Sequence, residues 1–134
     1  MKLAQVQPDP DQLKTVLEIA FALCDLGRGG EAADIFRGVA ALMPSSAVPL
    51  VGLARTYIQA GQYAAAQVAC EDGLRAEPDS GYARVHRAEA LLFQGARMEA
   101  ESELEAVLEA EPDSPHGHTA RALLDAAPVI CRQA

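Results

Sequence analysis

Few residues in this chain have the type and spacing to do chemistry, and each set fails a particular requirement. His116 and His118 lie two positions apart, which does not put two imidazoles on one face of a helix. Glu111 and Asp113 are close by, so a surface metal contact is the only metal reading on offer, without the ligand spacing of a structural or catalytic site. His86 and Glu89 stand at i, i+3 and could pair on one helix; a hydrogen-bonding role on a binding surface suits them better than acid–base work. Cys24 has no basic partner in register with it, so nothing in the sequence activates its thiol. Gly27-Arg28-Gly29-Gly30 is too short and unpatterned to cradle a phosphate, and a turn between elements explains it. The expectation is a non-enzyme, with no catalytic residue, no cofactor and no metal site.

The bulk properties set further bounds. A chain of 134 residues suffices for one domain with a core. Half of it is apolar, yet aromatics are only 4% and there is no Trp. Much of the apolar share is Ala, the best helix former, which points to closely packed helices. The formal charge of −8 disfavours nucleic acid and an anionic membrane as partners, because phosphate binding needs clustered Lys and Arg; neither is expected. The acid serves solubility, either of the chain or of a complex with an apolar client. Cys24, Cys70 and Cys131 are odd in number, which suggests free thiols in a reducing cytoplasm. Met1-Lys2-Leu3 is followed shortly by Gln and Asp, unlike a signal peptide. No apolar run approaches the ~18 residues that span a bilayer.

Positioning elements emerge from an internal repeat. Met43-Pro44-Ser45-Ser46, Glu77-Pro78-Asp79-Ser80 and Glu111-Pro112-Asp113-Ser114 recur with their prolines 34 residues apart. Gly27, Gly61 and Gly95 share that interval, as do Ala32, Ala66 and Ala100. With repeats at 13–46, 47–80 and 81–114, position 8 is Ala20, Ala54 or Ala88, and position 11 is Leu23, Tyr57 or Leu91. Position 24 is Phe36, Cys70 or Leu104. This register is that of the tetratricopeptide repeat (TPR), a helix–turn–helix unit of 34 residues. The predicted fold is all-α: a solenoid of three helix–turn–helix repeats plus a C-terminal capping helix.

The small residues let helices approach closely, Gly takes the turn inside each repeat, and Pro ends the second helix. Ser46, Ser80 and Ser114 can cap the next helix. The spacing predicts helices at about 11–26, 29–42, 46–60, 62–76, 80–94, 96–110 and 115–126. Residues 1–12 form a short N-terminal segment, with 1–9 mobile. The capping helix 115–126 presents His116, His118 and Arg121 to solvent. Residues 127–134 read as a flexible tail, exposing Cys131, whereas Cys70 stands at a core position.

In a TPR solenoid the first helix of each repeat lines the concave face. The register then directs Lys14, Leu17, Phe21 and Cys24 inward from the first repeat, and Val48, Val51, Arg55 and Ile58, with Gly52 between, from the second. The third offers Tyr82, Val85, Glu89 and Leu92, with His86 and Phe93 beside them. Leu92 and Phe93 read equally well as packing between helices; Phe21, Val51 and Tyr82 favour the groove. An apolar stripe on an inner face calls for a cover, and an extended apolar peptide is the expected one. TPRs that bind acidic heat-shock tails use Lys, Arg and Asn there; only Lys14 and Arg55 qualify and the chain has no Asn, which disfavours that partner class.

Beyond the generic register, the chain resembles the class II chaperones of bacterial type III secretion. The resemblance rests on Ala32 through Phe36 with Val39, on Gly52-Leu53-Ala54 and Gly61-Gln62-Tyr63, and on His86, Ala88-Glu89, Leu91-Leu92, Gly95 and Glu99-Ala100-Glu101-Ser102. It covers residues of about 13–126. It implies a small acidic cytoplasmic protein of a bacterium, linked to virulence, that holds an extended segment of an apolar translocator in its groove before export. It also implies a homodimer, which that class forms through a helical N-terminal extension; only residues 1–12 precede the first repeat here. The alternative within TPR proteins is a scaffold or assembly factor linking folded proteins in an envelope or pilus complex. Arg84 and Arg87 stand out because those positions are more often apolar.

Overall fold

The turn inside each repeat is set by one glycine in the left-handed region. Gly27, Gly61 and Gly95 have φ of 78°, 75° and 82°, a conformation that costs glycine nothing. The following amide reaches back to the fifth residue before it: Arg28 N–H donates to the Leu23 carbonyl at 2.8 Å, Gln62 to Tyr57 at 2.8 Å and Ala96 to Leu91 at 2.9 Å. This is the Schellman closure, which satisfies carbonyls that a helix end leaves free. Between repeats, the amides of Ser46, Ser80 and Ser114 donate to the carbonyls of Met43, Glu77 and Glu111. Pro44, Pro78 and Pro112 thus occupy the second position of a β-turn, where their fixed φ is already correct. Each serine hydroxyl then accepts from the next helix: from Val48 N–H at 3.2 Å, Ala83 N–H at 3.1 Å and Gly117 N–H at 3.0 Å.

The computed structural model describes residues 8–132, and these punctuation marks delimit seven helices within them. They are α1 (Pro10–Asp25), α2 (Gly29–Leu42), α3 (Val48–Gln59), α4 (Tyr63–Ala76), α5 (Gly81–Phe93), α6 (Arg97–Ala110) and α7 (Pro115–Arg132). The all-α solenoid expected from the sequence is the fold observed. Residues 1–7 and 133–134 lie outside the described residues, and with them most of the N-terminal segment, the signal-peptide reading and the end of the tail.

Each helix packs on its neighbours in the chain, and α1, α3, α5 and α7 also touch one another in sequence. The even-numbered helices make no such contacts among the described residues. The odd helices therefore form the shorter, inner side of the curve. Close approach is achieved with alanine: Ala20, Ala54 and Ala88, and Ala32, Ala66 and Ala100, are all fully buried. Larger side chains plug the remaining space, with Phe36, Cys70 and Leu104 at equivalent positions and no exposed surface. Gly52 passes so near Phe36 that a Cβ there would sit 2.3 Å from the ring.

The C-terminal end departs from the sequence expectation. Helix α7 does not stop at 126 but runs through Pro128 to Arg132. Pro128 is exposed, so its missing N–H falls on the solvent side, where the penalty of an interior proline is least damaging. On the inner side Ala127 is buried, and Leu123, Leu124, Ile130 and Cys131 pack on the cluster formed by Val85, Leu91, Leu92 and Leu104. Burial of that stripe outweighs the proline. Residues 127–132 are thus part of the domain, and Cys131 is half-buried with its Sγ 3.5 Å from the Leu92 carbonyl.

A labelling order follows. Burial pushes the Cys70 thiol up to about 12, and only a thiolate reacts readily. Under native conditions a maleimide is expected to modify Cys131 first, by fraying of the last turn of α7, and to leave Cys24 and Cys70 intact until global opening. Labelling of Cys70 at the rate of a free thiol, followed by mass spectrometry of peptides, would contradict the packing described.

Candidate functional site

The inner face is where side chains from all four odd helices meet. Its foundation is Phe36 of α2, whose ring meets the edge of Phe21 of α1 at 4.9 Å between centroids. The Arg55 guanidinium of α3 lies over the Phe21 ring, 5.5 Å from its centroid, a cation–π arrangement. Arg55 couples in turn to the hydroxyl of Tyr82 on α5. Tyr82 meets His86 edge-on at 5.1 Å and stacks on His116 of α7 at 5.8 Å. His86 Nδ1 stands 2.9 Å from Glu89 Oε1 and donates to it. A continuous band of partly buried aromatic and polar groups therefore crosses the solenoid.

The electrostatics of the band follow from this order. Burial works against the charge of Arg55, but the hydrogen bond and attraction from Tyr82 outweigh it and hold its pKa above the usual value. Burial raises the Tyr82 phenol, with Arg55 working in the opposite sense. Burial likewise raises the Cys24 thiol, and Arg55 only partly offsets that. Cys24 therefore has the basic neighbour that the sequence register did not reveal, yet remains an inert thiol, bonded through Sγ to Gln59 Oε1 at 3.3 Å. Among the described residues no group of His, Cys, Asp and Glu is gathered to hold a metal ion, and no helix is long and apolar enough to cross a membrane.

The sequence-predicted residues separate into two layers. Phe21, Val48, Arg55, Tyr82, His86 and Glu89 keep part of their surface, and Lys14 is exposed. Val51 and Val85 do not: they are 0% and 1% exposed, and Leu17 is at the margin with 9%. Val51 packs with Ala47 and Ala83 below Tyr82. Val51 and Val85 support the floor of the groove and offer no contact surface of their own, and Leu17 offers little. His116, expected as polar exterior, instead faces Tyr82. Carrying the 34-residue interval on from Val48 and Tyr82 reaches position 116, so the register held that information. Two depressions lie off this face, beside Val16 on α1 and between α3 and α4 at Tyr57 and Val68. Neither gathers side chains from all the odd helices.

On the opposite side of α5, Arg87 resolves its unusual position by bridging three carboxylates. It donates to Glu71 of α4 at 3.0 Å and to Glu103 and Glu99 of α6 at 2.6 and 3.2 Å. Arg84 donates to the Pro78 carbonyl at 3.0 Å.

The tetratricopeptide repeat family profile matches residues 23–84 and 58–124. The chain belongs to the tetratricopeptide repeat family. No curated protein matches it by sequence. Among solved structures this TPR chain is similar to SycD, a type III secretion chaperone of Yersinia enterocolitica, in complex with a peptide of the translocator YopD. There the identity is 24%, over 90% of this chain and 95% of that one, with a TM-score of 0.74. SycD in an alternative dimer gives 25%, the same coverages and a TM-score of 0.76. PcrH of Pseudomonas aeruginosa gives 20% identity over 98% and 97% with a TM-score of 0.74. The second TPR domain of human RPAP3, in complex with an HSP70 peptide, gives 20% over 90% and 98% with a TM-score of 0.73. The TPR fold of this chain is thus one shared by translocator chaperones and by peptide-binding TPR domains.

Proposed function

We propose that this TPR module is a bacterial type III secretion chaperone that holds an extended, apolar segment of its client along the inner face, in the cytoplasm, before export. The observation that carries the reading is the partly buried band Phe21–Arg55–Tyr82–His116 on the inner helices of a chain with a charge of −8. Burial of client side chains over this band would contribute roughly 25 cal/mol per Å² of apolar surface, while the acidic exterior keeps the complex soluble. The test begins with capture of the bound protein from the native host and mapping of the protected segment. Titration of that segment into the Phe21→Ala, Tyr82→Ala double variant should show a loss of roughly 30-fold or more, since aromatic anchors contribute about 1–3 kcal/mol each. Equal affinity in a folded double variant refutes the groove. A captured partner that is soluble when expressed alone points to the scaffold role.

A homodimer belongs to the same proposal. Gln12, Val16, Ile19, Leu23 and Leu26 follow each other at intervals of four and three along α1, the spacing of a helix–helix seam. Val16, Ile19 and Leu26 are 36%, 50% and 73% exposed. The equivalent positions of later repeats meet the second helix of the repeat before: Tyr57 accepts from Arg37 of α2, and Arg87 and Gln94 reach Glu71 and Gln67 of α4. In the first repeat the same face carries these exposed apolar residues, and a second copy is the cover proposed for them. Light scattering should report a dimer for the wild type and a monomer for Ile19→Glu; a wild-type monomer at tens of micromolar excludes it.

A further inference from the structure

Arg55 is set apart from the other partly buried arginines among the described residues. Arg87 meets three carboxylates and Arg84 a main-chain carbonyl. The exposed Arg28, Arg37, Arg75 and Arg97 each pair with an acid on their own helix or at its start. Arg55 has no carboxylate within ion-pair distance among the described residues; its neighbours are the face of Phe21 and the hydroxyl of Tyr82. Asp25 contributes only at a distance, and Glu89 is engaged by His86. The chain carries 19 acidic residues against 11 basic, so a partly desolvated cation without an acid is not a matter of short supply. Lys14, two turns before Phe21 on the same face of α1, is exposed and also makes no ion pair among the described residues.

We propose that the inner face reads a carboxylate in its ligand: the apolar client segment carries an acidic side chain that Arg55 receives. This rests on the groove reading and names the chemistry of its ligand. A guanidinium that lies over a ring face and makes no ion pair still has N–H donors to offer a ligand. A carboxylate can take two of them at once, with bonds about twice as strong as a neutral carbonyl would make. The surrounding apolar surface excludes water from the pair, so moderate salt screens it little. The acid also fixes the register of an otherwise featureless segment, because sliding the peptide would strand both charges.

The experiment uses short peptides drawn from Ala, Leu, Val, Ile, Pro, Ser, Gln and Glu as a degenerate library, selected on the wild-type protein and on Arg55→Gln. The expected result is enrichment of Glu at one fixed distance from the apolar anchors on the wild type, absent on Arg55→Gln. A selected peptide and its Glu→Gln counterpart should then differ about tenfold in affinity for the wild type. Arg55→Gln should bind both alike, at the wild-type affinity for the Gln peptide. Equal binding of the two peptides by the wild type overturns the inference and leaves the groove intact; that comparison stands even should Arg55→Gln unfold. Equal weakening of both peptides in a folded Arg55→Gln assigns the arginine to a main-chain carbonyl and also overturns it. A library from which nothing is selected removes the inference and the groove reading together.

Discussion

Replacing Phe36 by alanine is expected to cost about 3–5 kcal/mol of stability, the range for a buried aromatic truncated in a core that closes poorly. Phe36 has no exposed surface and packs in the first core cluster with Leu17, Ala20, Ala32, Leu53 and Ala54. Its ring fills the recess created by Gly52, with the would-be Cβ only 2.3 Å away. Neighbouring alanines have no atoms to send into the vacancy, so most of the cavity persists. The consequence reaches the inner face, because Phe21 rests its ring edge-on against Phe36 at 4.9 Å. Urea denaturation should show the loss, and peptide affinity should fall even where the variant remains folded. A loss below about 1 kcal/mol would show that α3 settles onto α2 and that Gly52 is not held apart by the ring.

The second large effect is expected at Arg87, and it carries a pH signature. Arg87→Met keeps the alkyl stem but removes the charge that bridges α4 and α6. Glu103, only 18% exposed at its side chain, and Glu71 would then face each other uncompensated. Removal of one partner of a buried pair costs about 3–5 kcal/mol; partial exposure lowers the expectation here to about 2–3 kcal/mol. In the wild type the two carboxylates are shifted in opposite senses. Burial raises Glu103 and Arg87 does not fully cancel it. Burial alone would raise Glu71 too, but hydrogen bonds from Gln67 and Arg87 bring it below its usual value. Stability from Glu71 is therefore present above its unfolded pKa and lost as pH falls through the lower folded value. Glu103 acts in the reverse direction, since a raised carboxyl gains stability on protonation. The two oppose each other, so the wild type depends on mild acid less steeply than the larger of them alone would dictate. Without Arg87 both carboxyls move up, so the deficit of Arg87→Met should be largest near pH 7 and shrink towards pH 5. A deficit that does not change with pH would mean that the stem, not the charge, supports the joint.

The Tyr57 hydroxyl, the Arg87 cluster and the α1 seam show one rule at three successive repeats. The same face of each first helix meets the second helix of the preceding repeat, by a hydrogen bond from an arginine to a tyrosine hydroxyl, by ion pairs, or not at all among the described residues. The joints therefore differ in chemistry while sharing geometry. Variation of this kind leaves the curvature of the solenoid intact, because close approach is fixed separately by the buried alanines.

The features that the sequence determined by itself are those governed by local chemistry. Glycine at 27, 61 and 95 dictates a left-handed turn, proline at 44, 78 and 112 dictates a β-turn, and the serines that follow dictate a cap. Each depends on a few adjacent residues, and together they mark out seven helices and their 34-residue period. The alanines at 20, 54 and 88 carry the close packing because only a small side chain permits it. What the tertiary structure alone decided is depth and adjacency. The register placed Val51 and Val85 on the inner side, but only the lean of the odd helices put them under it, with 0% and 1% exposure. Phe21, Arg55 and Tyr82 are far apart in the chain, and their contact depends on the angle at which three repeats stack. Pro128 reads as a stop in any local window, yet the apolar stripe from Leu123 to Cys131 finds a core to cover and carries α7 past it. Burial is a sum over surfaces that distant segments bring, so it can overrule a local preference of a few kcal/mol.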